Sequence, residues 1–219
     1  MTKIIPPDQF RKKLIPNTPF IAYTDGACRR NPGPGGWGAV IIQNDIETEI
    51  SGYSASTTNN KMEMQAAIEV LSLIPVNSTI TITTDSQYLK QGIESWIRNW
   101  KRNGWKLHDG SPVKNYEYWT KIDELSNLRN VHWEWVKGHH GHPFNERADK
   151  LATSAIDYKG PVPLNQTSAV IPHSDISTSR KPQIMRDPNP NESYQTVSLD
   201  EFLQKHKQTY LLYLHRWRM

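Results

Sequence analysis

The segment on which the fold depends is TDGACRRNPGPGGWG, residues 24–38. It follows the apolar run FIAY at residues 20–23, which predicts a β-strand that ends at Asp25. The residues after Asp25 are so rich in Gly and Pro that they predict a turn. An Asp at a strand end beside such a turn contributes little to packing, and its carboxylate is open to solvent or to a ligand. Asp25 is therefore the first candidate site residue.

Two further strands are predicted before the first helix. Residues 37–42 (WGAVII) and 49–53 (EISGY) have the composition of strands, and a polar turn separates them. Short connections of this kind predict antiparallel hairpins. The polar run at residues 54–60 is expected to end strand structure and to supply the N-cap of a helix.

The first long helix is predicted from residue 61 to Pro75. One apolar stripe runs along it, formed by Ala67, Val70, Leu71 and Ile74. Glu63 lies on the same face, where a carboxylate is costly unless a cation lies beside it. The alternative is an ordinary, partly exposed glutamate in the first helical turn, where the helix dipole favours a negative charge.

Two more acids join Asp25 and Glu63. The strand predicted at residues 79–84 ends at Asp85, and the preceding helix makes a crossover, so this strand runs parallel to the first. Parallel neighbours end at the same sheet edge, where the sites of open α/β sheets lie, so two of the acids are expected to meet there. Asp149 lies beside the apolar stripe of a helix predicted at residues 144–156. Four acids in such positions are hard to explain by packing alone.

A basic, tryptophan-rich segment follows a short helix predicted at residues 86–92. Its tryptophans and cations alternate along the chain, as Trp96, Arg98, Trp100, Lys101, Arg102, Trp105 and Lys106. Tryptophans at helical spacing are usually core residues, and that interpretation applies to at least one of these. Because of the interleaved cations, the segment also fits a surface on which nucleic-acid bases stack and phosphates bind.

A helix and a strand are predicted next, at residues 115–128 and 131–136. The strand alternates in polarity, so Trp133 and Trp135 are interpreted as core residues. The loop after it carries three histidines among glycines, which indicates either a metal site or a mobile catalytic loop; they are His139, His140 and His142. Zinc is not favoured, because the following helix supplies neither a cysteine nor a suitably spaced histidine.

Five motifs, in this order, resemble bacterial type 1 ribonuclease H: TDGACRRNPGPGGWG, TTNNKMEMQAAI, TTDSQY, WIRNWKRNGW and VKGHHGHPFNERADKLA. The resemblance covers approximately residues 20–157, and it is specific because order and spacing agree. It implies an α/β fold of the ribonuclease H type, with a five-stranded mixed sheet flanked by helices. The first three strands would be antiparallel, and the fourth and fifth parallel to the first. It also implies an endonuclease that hydrolyses the RNA strand of RNA–DNA hybrids, leaving 5′-phosphate and 3′-hydroxyl ends.

The resemblance also assigns roles to the acids and to one histidine. The catalytic acids and metal ligands would be Asp25, Glu63, Asp85 and Asp149. They would hold two Mg²⁺ ions per active site, with Mn²⁺ as an alternative, because hard cations take carboxylate oxygens. Asp25 would be the central, bridging ligand. His139 would assist proton transfer or product release, whereas His140 and His142 are interpreted as solvated loop residues.

Nucleic-acid contacts are implied in the same way. Contacts to the RNA strand, which the 2′-hydroxyl distinguishes from DNA, would come from Cys28, Asn31, Asn59 and Gln87. Phosphates of the DNA strand would meet Thr58, Asn60 and Asn99, the first two at a helix N-terminus. A protruding basic handle along the DNA strand would contain Trp96, Trp100, Lys101 and Trp105. Arg29 and Arg30 add positive charge beside the active edge.

The chain of 219 residues is divided into four parts. Residues 1–17 are an N-terminal extension, and residues 18–158 are the catalytic domain. Residues 159–197 are rich in Pro, Ser, Thr and Asn, which predicts a flexible linker. Residues 198–219 begin with a capping box and continue with apolar residues at helical spacing, which predicts an amphipathic helix. This helix either docks on the catalytic domain or anchors a protein or nucleic-acid partner.

Composition sets the remaining expectations. The formal net charge of +4 mildly favours a polyanionic partner. The single cysteine, Cys28, excludes an internal disulfide, so a reducing, cytoplasmic compartment is expected. A monomer is expected as well, with neither a secretory signal nor a membrane span. Two other functions stay open, namely a related nuclease such as an integrase or junction resolvase, and a hybrid-binding module without catalysis. The handle tryptophans and the histidine loop argue against the first, and the four acids against the second.

Overall fold

A single mixed sheet forms the centre of the fold. The structure is a computed structural model that describes residues 3–137 and 142–164. Within these residues the strands are β1 (Lys3–Ile4), β2 (Phe20–Cys28), β3 (Gly33–Gln43), β4 (Ile46–Thr57), β5 (Thr79–Thr84) and β6 (Asn130–Trp135). They lie side by side in the order β1-β4-β3-β2-β5-β6.

The strand directions agree with the predicted fold. Strands β2, β3 and β4 pair antiparallel, β5 runs parallel to β2, and β6 runs parallel to β5. The five predicted strands and their directions are therefore confirmed. The sheet gains a sixth strand, β1, because the first described residues pair parallel with β4.

Helices cover both faces of the sheet. They are α1 (Pro7–Lys12), α2 (Asn59–Leu73), α3 (Gln87–Gln91), α4 (Ile97–Arg102), α5 (Tyr116–Asn127) and α6 (Pro143–Tyr158), with a π-helical turn at Gly92–Trp96. The predicted stripe of α2 is fully buried, with Ala67, Val70 and Leu71 at 0% exposure and Ile74 at 2%. Helix α2 packs against Gly26 of β2, whereas α6 packs against Gly36 and Gly38 of β3 on the opposite face.

Two predicted strand ends were wrong. Strand β2 does not end at Asp25 but continues to Cys28, and β4 continues through the polar run to Thr57. The reason is the glycine-rich stretch between them, which forms most of β3 instead of a turn and offers backbone partners to both neighbours. Cys28 pairs with Gly35, and Thr57 pairs with Gly33. The connection between β2 and β3 shrinks to residues 29–32.

The two tryptophans predicted as core residues on β6 are only half-buried. They pack against the core from the last strand in the sheet order, and no described strand lies beyond it. Their rings stack on each other with centroids 6.0 Å apart and an interplanar angle of 7°. Trp133 and Trp135 thus form the border of the core.

The residues at both ends of the described part of the chain contact β4 or the core. Ile5 and Phe10 are 2% and 1% exposed, and the Phe10 ring lies 6.4 Å from that of Phe20. After α6, the backbone N–H of Val162 donates to Oγ of Ser51 at 2.8 Å. The rest of the predicted linker and the predicted helix at residues 198–219 lie outside the described residues. None of the helices described here is long and apolar enough to cross a membrane.

Phe10→Ala is expected to lower the free energy of unfolding by about 3–5 kcal/mol, because it removes a fully buried ring. Urea denaturation followed by circular dichroism measures the change. Ile15→Ala is the control, because Ile15 is 43% exposed and its truncation should change stability by less than about 0.5 kcal/mol. Equal effects of the two substitutions would contradict a core role for the N-terminal segment.

Candidate active site

The four predicted acids line one cleft. Asp25 comes from β2, Glu63 from α2, Asp85 from the residue after β5, and Asp149 from α6. All four are half-buried. The cleft has a volume of about 570 Å³, and its other walls are formed by Gly26, Ala27, Cys28, Asn59, Asn60, Ser86, Gln87 and Tyr88.

Strand register brings Asp25 and Asp85 together. The parallel ladder between β2 and β5 ends with the pair Tyr23 and Thr83. Each acid follows its paired residue by two positions, so both carboxylates leave the same edge of the sheet on the same face. Although Asp25 lies inside a longer strand than predicted, it still lies just beyond the parallel ladder.

Two glycines allow the helices to bring the other acids close. A Cβ on Gly26 would lie 2.2 Å from the backbone nitrogen of Glu63, so only glycine lets α2 approach β2 here. A Cβ on Gly38, the register partner of Asp25, would lie 2.5 Å from the carbonyl oxygen of Ala148. Helix α6, which carries Asp149, therefore contacts the sheet beside Asp25.

Glu63 is held by neutral donors. Nδ2 of Asn59 donates to its Oε1 at 2.9 Å, and Oγ of Ser86 donates to its Oε2. No acid lies in the first turn of α2, so the interpretation of Glu63 as a first-turn glutamate was wrong. Within residues 3–137 and 142–164, no Lys or Arg forms an ion pair with Glu63, so no cationic side chain there offsets its burial.

Burial and mutual repulsion make the cluster electrostatically unfavourable. Burial, followed by the charge of Asp85, raises the pKa of Asp25 to about 8, although the backbone N–H of Gly26 donates to its Oδ1 at 2.7 Å. The charges of Asp149 and Glu63 raise the pKa of Asp25 further. Burial also raises the pKa of Glu63, against the hydrogen bond from Ser86. The described chain pairs none of the four acids with a Lys or Arg, so a bound cation would relieve this repulsion.

The donor set fits a hard cation in its chemistry. Carboxylate oxygens are the ligands that Mg²⁺ takes in proteins, usually together with water and substrate phosphate. In the part of the chain that the structure describes, no three Asp, Glu, His or Cys side chains already surround a common point as a metal site. The carboxylates of Asp25 and Glu63 instead accept hydrogen bonds from Gly26, Asn59 and Ser86. Metal binding would therefore exchange some of these bonds.

The residues predicted to contact the RNA strand lie at or beside the cleft. Cys28, Asn59 and Gln87 line it, and Asn31 lies next to it, with its Oδ1 accepting from the backbone N–H of Asn59 at 3.3 Å. The thiol of Cys28 donates to the carbonyl oxygen of Arg30 at 3.0 Å. These contacts join the loop at residues 29–32 to the start of α2.

The predicted phosphate contacts are divided between two places. Asn60 lines the cleft, and Thr58 caps α2 by accepting from the backbone N–H of Lys61 at 3.4 Å. Asn99 is exposed on α4, with the handle residues. Arg29 forms an ion pair with Asp157, both exposed, so part of its charge is already offset.

The handle tryptophans are more structural than predicted. Trp96 and Trp100 have centroids 5.4 Å apart, and Trp100 lies 5.6 Å from the fully buried Trp119. Trp105 packs edge-on against Tyr116, with centroids 6.2 Å apart. All three handle rings are half-buried against the core, whereas the four cations of the segment are exposed. The exposed side chains of the handle are thus mainly cationic, although Lys101 forms an ion pair with Asp123 at 2.9 Å.

Sequence reasoning missed Ser86 and Asn145. Asn145 lies four residues before Asp149, a spacing that places both on one side of α6 and could have identified it. Ser86 directly follows Asp85, but no pattern in the sequence pairs it with Glu63. His142 is exposed and precedes the first residue of α6. His139 and His140 lie outside the described residues.

The family model for RNase H matches residues 17–157. The chain belongs to the RNase H family. Ribonuclease H of Rhizobium meliloti (strain 1021) is 55% identical over 135 residues, which is 62% of this chain and 88% of that protein. Ribonuclease H of Nitrosococcus oceani (strain ATCC 19707) is 52% identical over 134 residues, which is 61% of this chain and 91% of that protein. The resemblance seen in the five motifs is thereby confirmed, and the protein is an enzyme of the hydrolase class.

A solved structure shows the same relationship. LC9-RNase H1, described as a type 1 RNase H with the type 2 active-site motif, has a TM-score of 0.60 and 28% sequence identity. The alignment covers 67% of this chain and 76% of that chain. The α/β fold and the strand directions therefore agree with a type 1 RNase H.

Gly26→Ala is expected to lower RNA-strand cleavage about 100-fold, because its Cβ would force α2 and Glu63 away from Asp25. Single-turnover cleavage of a labelled hybrid measures this loss. Gly160→Ala is the matched control, since the nearest atom to a Cβ there is 3.9 Å away. A Gly26→Ala enzyme with full activity would show that this close contact does not position the acids.

Asp25→Asn is expected to stabilise the metal-free protein at high pH. In the wild type, the folded state favours neutral Asp25, whose pKa rises from 3.8 to about 8, so ionisation costs stability as pH rises through this window. Asparagine stays neutral throughout. Thermal unfolding in EDTA should therefore give the variant a higher Tm at pH 9 and nearly equal values near pH 3.5. A Tm difference that does not depend on pH would contradict the raised pKa.

Proposed function

We propose that the protein is an endonuclease that cleaves the RNA strand of RNA–DNA hybrids, using divalent metal ions held by Asp25, Glu63, Asp85 and Asp149. The observation that carries this proposal is the cleft itself, in which four carboxylates from four elements meet without a described Lys or Arg partner. Membership of the RNase H family gives the reaction class.

The four acids would hold the metal ions. When bound, two Mg²⁺ ions, or Mn²⁺ in their place, would activate a water molecule and stabilise the leaving oxygen. Asp25 is the natural central ligand, because each of the other three acids repels it and so lies near it. Glu63, Asp85 and Asp149 supply carboxylates from the surrounding elements. His139 is proposed to assist proton transfer or product release.

Substrate recognition is proposed to depend on the backbone and sugar of the hybrid. Cys28, Asn31, Asn59 and Gln87 would face the RNA strand, whose 2′-hydroxyls they would detect. The DNA strand would follow Thr58, Asn60 and Asn99 to the handle with Trp96, Trp100, Lys101 and Trp105. Contacts of this type position a duplex without reading its sequence, so little sequence preference is expected.

The organisation of the whole chain forms part of the proposal. We take residues 18–158 as the catalytic domain, preceded by residues 1–17 and followed by a linker at 159–197 and a helix at 198–219. The helix would dock on the domain or bind a protein or nucleic-acid partner. The protein would act as a cytoplasmic monomer without contact to a membrane.

A strand-specific cleavage assay tests the proposed function. Full-length protein with Mg²⁺ is expected to cut only the RNA strand of a labelled hybrid, and to leave double-stranded RNA, double-stranded DNA and a four-way junction intact. EDTA and Asp25→Asn should each reduce cleavage to background. Asp45→Asn, an exposed turn residue between β3 and β4, is the matched control and should retain full activity.

Two results would contradict the proposal. Cleavage of DNA or of the junction would favour an integrase-type or resolvase-type nuclease. Tight binding of the hybrid without cleavage, in the presence of Mg²⁺ or Mn²⁺, would favour a binding module.

A further inference from the structure

Asn145 contacts one of the four acids and shares a helix with another. It occurs in the first turn of α6, four residues before Asp149, so both side chains lie on one side of the helix. The residue is only 4% exposed, and its Nδ2 lies 3.5 Å from Oδ2 of Asp85. An amide on α6 thus contacts a carboxylate at the end of β5.

The carbonyl oxygen of the Asn145 side chain has no hydrogen-bond donor among the described residues. Oδ1 of Asn145 is buried and accepts no hydrogen bond from residues 3–137 or 142–164. A buried carbonyl oxygen in this state is destabilising, and native proteins seldom keep one without a reason. A carboxylate is an acceptor only, so a carboxylate beside this oxygen cannot supply the missing hydrogen. Turning the amide over would instead place its oxygen against Oδ2 of Asp85, which pairs two acceptors.

We propose that Asn145 is a positioning residue of the metal-binding cluster. Its Nδ2 orients Asp85, and its Oδ1 accepts a hydrogen bond from a water molecule that a divalent cation retains when bound. Mg²⁺ gives up its water reluctantly, and the retained molecules are donors that require acceptors close to the ligands. Partners of this kind, one step removed from the metal, fix the orientation of the ligands. This inference rests on the proposed function.

The test measures metal binding without the reaction. The Tm of the full-length protein is followed against Mg²⁺ concentration, without hybrid, for the wild type, Asn145→Leu and Asn145→Ala. A cation that binds only the folded state stabilises it in proportion to ln(1 + [Mg²⁺]/Kd), so the dependence of Tm on Mg²⁺ concentration gives the Kd for Mg²⁺. Both variants are expected to raise this Kd about 10–100-fold. At a fixed Mg²⁺ concentration their kcat should fall, while KM for the hybrid stays unchanged.

A purely structural role of Asn145 predicts a lower metal-free Tm in both variants and an unchanged affinity for Mg²⁺. The proposed role predicts a lower affinity for Mg²⁺ without a loss of metal-free stability in Asn145→Leu. Leucine keeps the branched shape of asparagine, although it is larger, and it removes the unpaired oxygen, so the metal-free Tm of Asn145→Leu should stay close to that of the wild type. Alanine at position 145 is too small to clash with its neighbours, so Asn145→Ala controls for steric effects of the leucine side chain. Thr48→Val is the matched control, because Oγ1 of Thr48 is also buried without a described partner but lies outside the cleft. Its Kd for Mg²⁺ should equal that of the wild type.

The two hypotheses fail in different ways. A wild-type Tm that does not respond to Mg²⁺ overturns the proposed metal site and the role of Asn145 together. A normal wild-type response, with a Kd for Mg²⁺ in both Asn145 variants within twofold of the wild-type value, overturns the role of Asn145 alone.

Discussion

The contact between Gly26 and the backbone of Glu63 is the constraint on which the site depends. It sets the distance between β2 and α2, and a single added methyl group would lie 2.2 Å from the Glu63 nitrogen. On the other face, Gly38 lets α6 approach the strand beside Asp25. The glycine-rich stretch therefore acts mainly through close packing, because its residues lie in strands that two helices approach from opposite sides. The site exists where both helices reach the same point of β2.

This packing has an electrostatic cost. It gathers four carboxylates in a half-buried cleft, where burial and repulsion raise the pKa of Asp25 to about 8. Neutral donors from Asn59, Ser86 and Gly26 offset part of the cost, but a described Lys or Arg partner is absent from all four acids. A Lys or Arg inside the cleft would offset the repulsion among the carboxylates, yet it would compete with a bound cation for the same oxygens. Stability and metal binding thus make opposite demands on this cluster.

Helix α6 is held against the sheet by charges as well as by apolar contacts. Arg147, two residues before Asp149, forms buried ion pairs with Glu47 and Glu49 of β4. Its guanidinium also lies 5.5 Å from the centroid of the Phe144 ring, which in turn stacks on Tyr23. Buried ion pairs add little net stability, but they strongly disfavour arrangements in which one partner is left unpaired. We therefore interpret this network as fixing the position of α6, and with it Asp149 and Asn145.

The amino-acid sequence by itself determined the strand directions, the stripe of α2 and the convergence of Asp25 with Asp85, because these follow from local periodicity and the crossover rule. It also identified the family, because the order and spacing of the five motifs can be read directly from the sequence. Only the tertiary structure decided that Asp25 lies inside a continuous strand, that Ile5 and Phe10 complete the core, and that the handle tryptophans are half-buried. It alone paired Ser86 with Glu63 and Asn145 with Asp85. The physical reason is that strand ends, burial and hydrogen-bond partners depend on residues distant in the chain, which the glycine contacts bring within reach.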